Sequence, residues 1–135
     1  MERRKVVSIA LALTVVLVLV APLALATCYY CNYGGASTAC VTTDYPTSAS
    51  GLVSSTWRDY WLACFQGHWD SYSTYVYCYL HQHSGEEVQT FTPPQPPSYG
   101  IGMTAEAWLY LRQYDLFVLD ASTYLYEDCH GYCQA

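Results

Sequence analysis

The chain has 135 residues, a formal net charge of −6, 53% hydrophobic and 12% charged residues, 15 Tyr and 7 Cys. Its length fits one domain, with or without a targeting segment. The apolar content excludes a disordered chain. The lack of a basic excess excludes a binder of nucleic-acid phosphates, and a single long apolar run excludes a polytopic membrane protein.

Residues 1–26 read as a secretory signal peptide, a helix preceding the domain. Met1-Glu2-Arg3-Arg4-Lys5 is a short positive start, and Val6 to Ala21 is apolar except for Ser8 and Thr14. Pro22 breaks the run, and Ala24-Leu25-Ala26 supplies the small-x-small pattern of a cleavage site. Left uncleaved, the segment is long enough to act as a signal anchor. Leu25-Ala26-Thr27-Cys28 also resembles a bacterial lipoprotein box, with Thr27 in place of Gly, Ala or Ser. That resemblance implies a lipid on Cys28 and an even number of remaining Cys. Membrane contact is expected only through such an anchor or lipid.

Residues 27–135 are then a single secreted or cell-surface domain. It keeps every Cys and Tyr but only Arg58 and Arg112 among the basic residues; with ten acids its net charge is −8. Seven Cys in an exported chain of this size form a disulfide framework: Cys28, Cys31, Cys40, Cys64, Cys78, Cys129 and Cys133, with one left over. Cys64 and Cys78 are attractive partners across a hairpin turning near Asp70-Ser71. The Cys28/Cys31 and Cys129/Cys133 pairs can tie the two ends together; sequence alone leaves the connectivity open.

Along the domain, 39–43 reads as a short strand and 45–55 as a loop. Residues 56–65 fit either a strand or a helix, and Gln66-Gly67-His68 reads as a turn. The strongest strand signal is 72–83, where Tyr75, Tyr77 and Tyr79 alternate with Val76, Cys78 and Leu80. Residues 88–92 form a further short strand. A Pro-rich loop at 92–98 stops regular structure. Residues 105–113 fit helix or buried strand, and 116–119 and 122–126 read as strands around an Asp120-Ala121 turn. Short strands without a sustained helical period predict an all-β, disulfide-stabilised β-sandwich or small barrel.

Three constellations bear on chemistry. On a strand, His81 and His83 would share a face and could chelate Zn or Cu, with Glu87 four residues on and His68 or His130 as a further ligand. The string His81-x-His83-x-x-x-Glu87 resembles the first half of the cupin metal motif, although Tyr75 and Pro94 stand where that motif has glycine. The plainer reading, two polar residues at the exposed end of a strand, is preferred, and no resident cofactor is required. Second, Tyr75, Tyr77 and Tyr79 would form an aromatic ladder, either packed within the sheet or presented as an interaction surface. Third, no nucleophile signature appears, so the chain reads as a non-enzyme. The leading expectation is a tyrosine-rich structural protein that self-assembles into a filament, coat or envelope. The alternatives are an extracellular carbohydrate-binding module using surface Tyr and Trp, with glycans as partners, and a small metal-binding protein using His81 and His83.

Overall fold

The computed structural model describes residues 27–70, 72–93 and 102–135. The signal segment, and most of the Pro-rich loop, lie outside the described residues. Ten strands and no helix make up the described chain: β1 (Cys28–Tyr33), β2 (Ser37–Asp44), β3 (Ser48–Ser55), β4 (Trp61–Trp69), β5 (Tyr72–Ser73), β6 (Tyr77–His81), β7 (Gly85–Phe91), β8 (Gly102–Gln113), β9 (Leu116–Asp128) and β10 (Cys133–Gln134). They form two antiparallel sheets that do not close into a barrel. One runs β1-β2-β3-β7 and the other β10-β9-β8-β4, with β5 and β6 both paired to the far side of β4.

Period-two alternation explains the sandwich. Ala39 and Val41 on β2, and Ala49 and Val53 on β3, are buried, as are Trp61, Ala63, Phe65 and Trp69 on β4. On β8 the buried series is Met103, Ala105, Ala107, Leu109 and Leu111; on β9 it is Ala121, Thr123, Leu125 and Glu127. Large rings are seated on residues with little or no side chain. A Cβ on Gly51 would fall 2.5 Å from the Phe65 ring and 3.3 Å from Ala107, so the Phe65 ring can seat against β3 here because residue 51 has none. Gly67 makes room in the same way for Trp69 and Phe91.

The two open sides of the sandwich are closed by side chains. On one side the turn from β6 to β7 passes from sheet to sheet. Trp61 Nε1 donates to the His83 carbonyl at 2.8 Å, and the His81 ring stacks on Trp61 at 4.1 Å. Tyr79 donates to Gln89, and Tyr77 packs against Phe91. On the other side β1 lies along β9. The amides of Gly35 and Ala36 donate to the two Asp120 carboxylate oxygens at 3.0 and 3.1 Å, and Asn32 Nδ2 donates to the Ser122 carbonyl at 2.9 Å. Asp120 reaches them because it is a bulge: Leu109 pairs with Ala121 and Tyr110 with Leu119, leaving residue 120 unpaired and re-aimed.

Three disulfides complete the frame, Cys28–Cys133, Cys31–Cys40 and Cys64–Cys78, and Cys129 is free and exposed. The last two bridges join directly opposed residues on neighbouring strands. The first joins the opening strand to the closing one, as the location of the end pairs suggested, and it occupies the Cys28 sulfur, which corrects the expectation of a lipid on that residue.

Several local expectations are corrected. The expected loop at 45–55 contains β3, whose inward positions other than Val53 are the small residues Ala49, Gly51 and Ser55, which give little apolar signal. Gln66-Gly67-His68 is the interior of β4, not a turn; Gly67 serves a close ring contact there. Residues 72–83 break into β5 and β6 around 74–76. There is no turn at Asp120-Ala121, because β9 runs through as one bulged strand. The actual turn is Tyr114-Asp115, with φ of 51° and 64°, between the paired residues Gln113 and Leu116. Two successive left-handed residues in a two-residue loop are the geometry that matches the twist of a hairpin.

Candidate functional site

The β8–β9 hairpin projects beyond the rest of its sheet. The pairing of β4 with β8 ends at Leu111, with one further bond from the Arg112 amide to the Tyr60 carbonyl, and the bonds from β1 and the turn after it reach β9 only from Asp120 onward. Residues 113–119 therefore extend past both neighbours. On β9 the protruding part is Leu116-Phe117-Val118-Leu119, four consecutive exposed apolar residues, with Tyr114 at the tip 99% exposed. Among the described residues, this stretch pairs with β8 on one side and with no strand on the other. Arg112, at the hairpin base, is engaged elsewhere. Its guanidinium bonds both oxygens of Asp59, at 2.9 and 3.3 Å, and lies 4.2 Å over the Tyr60 ring. The Tyr60 amide, and then Arg112, hold the Asp59 carboxyl below its ordinary value. An unpaired apolar strand edge offers backbone donors and acceptors together with side chains that favour burial, which is the chemistry of strand addition.

Beside the hairpin, on the outer face of the same sheet, lies a groove of about 520 Å³. Alternation on β8 turns Glu106, Trp108 and Tyr110 outward, opposite to Ala105, Ala107 and Leu109. Tyr124 stands opposite Glu106 on β9, and Tyr30 and Asn32 of β1 form part of the wall. The Glu106 carboxylate is oriented by a short relay. Ser73 lies 2.7 Å from His68 Nδ1, and His68 Nε2 lies 3.2 Å from Glu106 Oε2. A Ser73 hydroxyl donating to Nδ1 leaves the proton on Nε2, which then donates to Glu106.

The residues singled out from sequence are distributed differently. β6 ends at His81, and His83 sits in the exposed turn, so the shared-face argument does not apply to them. His81 Nε2 is 3.4 Å from Glu87 Oε2, bringing two of the three expected metal candidates together. His68 is committed to Ser73 and Glu106, and His130 lies in the turn before β10. No group of three or more His, Cys, Asp or Glu is placed to hold a metal ion among the described residues. Tyr75 lies before β6 and is exposed, whereas Tyr79 packs on Phe65 and Tyr77 on Phe91, at the seam between the sheets. These three tyrosines form no common platform on the outer face.

The outward-facing rings that cluster, half-buried Trp108 and Tyr110 and exposed Tyr124, were not among the sequence candidates. Their signal was the alternation Glu106-x-Trp108-x-Tyr110, masked by the helical preference of Ala105, Glu106, Ala107 and Leu109. The chain matches no protein-family model, no curated protein and no solved structure.

Proposed function

We propose that this is an exported, disulfide-framed structural subunit that associates with further copies of itself through the β8–β9 hairpin. One observation carries the reading: Leu116 to Leu119 are all exposed and apolar, on the stretch of β9 whose outer edge has no strand partner among the described residues. Edges of this kind are usually shortened, charged or covered in proteins that remain single. This one has no charged residue between Leu116 and Leu119. Antiparallel pairing of the edge with that of a second copy would extend the sheet across a two-fold axis and bury both apolar stretches. The exposed Cys129 follows the opposite end of β9, so a bond through it would join a copy other than the one paired at the hairpin. Three disulfides within the chain support export to an oxidising compartment.

The test is analytical ultracentrifugation of the native, oxidised protein, compared with a Leu116→Asp/Val118→Lys variant and with Cys129→Ser. Concentration-dependent dimers or larger assemblies, lost in the hairpin variant, support the proposal. Cys129→Ser should leave assembly intact and remove only covalent oligomers on non-reducing gels. A wild-type protein that sediments as a monomer across the accessible concentration range overturns it.

A further inference from the structure

We infer that the groove on the outer face of the β8–β9 sheet is a binding site for neutral pyranose oligosaccharides. The inference rests on Trp108, Tyr110, Tyr124 and Tyr30, which line one concavity together with Glu106 and Asn32. Its volume, about 520 Å³, is within the ~300–1,000 Å³ of small-molecule sites.

The chemistry of the lining selects the ligand class. A pyranose has an apolar face of axial C–H bonds and a rim of hydroxyls. Aromatic rings cover the face, and acceptors and donors at the edge of the stack take the rim. The groove supplies both from separate strands: rings from β8, β9 and β1, a carboxylate from β8 and an amide from β1. A wholly apolar ligand would leave Glu106 and Asn32 desolvated without replacement bonds.

The polar groups are held in place before any ligand arrives. Glu106 Oε2 is fixed by His68, itself fixed by Ser73, which leaves Oε1 to accept from a sugar hydroxyl. Asn32 Nδ2 is fixed on the Ser122 carbonyl at 2.9 Å, which leaves its amide oxygen to accept from another. Fixed donors and acceptors lose less freedom on binding.

Charge completes the argument. Glu106 is an acceptor, residues 27–135 carry a net charge of −8, and Arg112 is neutralised by Asp59. No cation lines the groove. Uronic, sulfated and sialylated glycans meet repulsion there, whereas neutral sugars do not.

The experiment is a binding screen of the native, oxidised protein. Neutral oligosaccharides built on glucose, mannose, galactose and N-acetylglucosamine are compared with uronate and sialylated controls, and hits are titrated by calorimetry. Saturable binding to at least one neutral series is expected, with the anionic controls silent. Trp108→Ala and Tyr124→Ala should each weaken it by about tenfold or more, the loss of one stacked ring. Tyr124 is half exposed, so its variant keeps the fold and separates a lost contact from a lost structure. Glu106→Gln should admit anionic sugars that the wild type rejects. No neutral series binding at millimolar concentration, or binding unchanged in both aromatic variants, overturns the inference. Sedimentation of the same samples reads self-association independently, so each idea can fail without the other.

Discussion

Replacing each disulfide in turn by a pair of alanines should destabilise the domain in the order of the loops the bonds close. The bridges span separations of 105, 14 and 9 residues, for Cys28–Cys133, Cys64–Cys78 and Cys31–Cys40 respectively. In the chain-entropy model, loops of those sizes give about 4.7, 3 and 2.7 kcal/mol. The contrast between the longest and shortest is thus about 2 kcal/mol. Burial does not reinforce this order, because Cys28 is buried but its partner Cys133 is exposed, whereas Cys31 is half-buried and its partner Cys40 is buried. Against a typical total of about 5–15 kcal/mol, loss of the end-to-end bond leaves a domain near its folding limit. Urea unfolding of the three paired-alanine variants, followed by tryptophan fluorescence, reads the order as midpoint shifts. The end-to-end variant should also show the largest increase in slope, because its unfolded chain expands most. If removing Cys31–Cys40 costs as much as removing Cys28–Cys133, closure entropy is not what these bonds contribute, and the reasoning fails.

Phe65→Ala should cost about 3–5 kcal/mol in the same assay, because the ring is fully buried and its bed of Gly51 and Ala107 has nothing to fill the space. Gly51→Ala should cost about 1–3 kcal/mol by overpacking against that ring, with most of the loss recovered when Phe65→Leu is added. Glu127 is buried, and burial raises its carboxyl above the ordinary 4.5 despite the opposing bond from the Tyr45 amide. Its contribution is therefore full below the unfolded-state value and is lost as pH rises through the higher folded one. Denaturation midpoints of Glu127→Gln, measured from acid to neutral pH, should gain on the wild type over that window; a constant difference would contradict the sign. Asp120→Ala should cost about 2 kcal/mol, since it removes two charge-assisted bonds to backbone amides. Hydrogen exchange should then quicken at Gly35 and Ala36 and leave β4 unchanged.

What could be read in the sequence follows physical lines. The all-β class, the disulfide framework and the Cys64–Cys78 pair were legible, because alternation and cysteine spacing are local signals. β3 was not, since Ala49, Gly51 and Ser55 are inward positions whose value is smallness, visible only once Phe65 is opposite. β8 was left open between helix and strand because the propensities of Ala105, Glu106 and Ala107 contradict their alternation, and pairing with β4 and β9 decided it. The expected ladder of Tyr75, Tyr77 and Tyr79 was drawn from alternation alone, and the destination of Tyr77 and Tyr79 at the seam with β7 depends on which strand arrives there. The groove draws on β1, β8 and β9, separated by some seventy residues of chain, so no window of sequence displays it.

The Cys28–Cys133 bond bears on how the domain would behave under tension. Cys28 and Cys133, in the first and last strands of the described residues, are fastened to each other, with Cα atoms 5.6 Å apart. A pull applied through segments attached outside them would travel through the sulfur–sulfur link and bypass the sheets. A string of such units would lengthen little before a covalent bond gave way, and a reductant would turn each from a rivet into a spring that pays out slack.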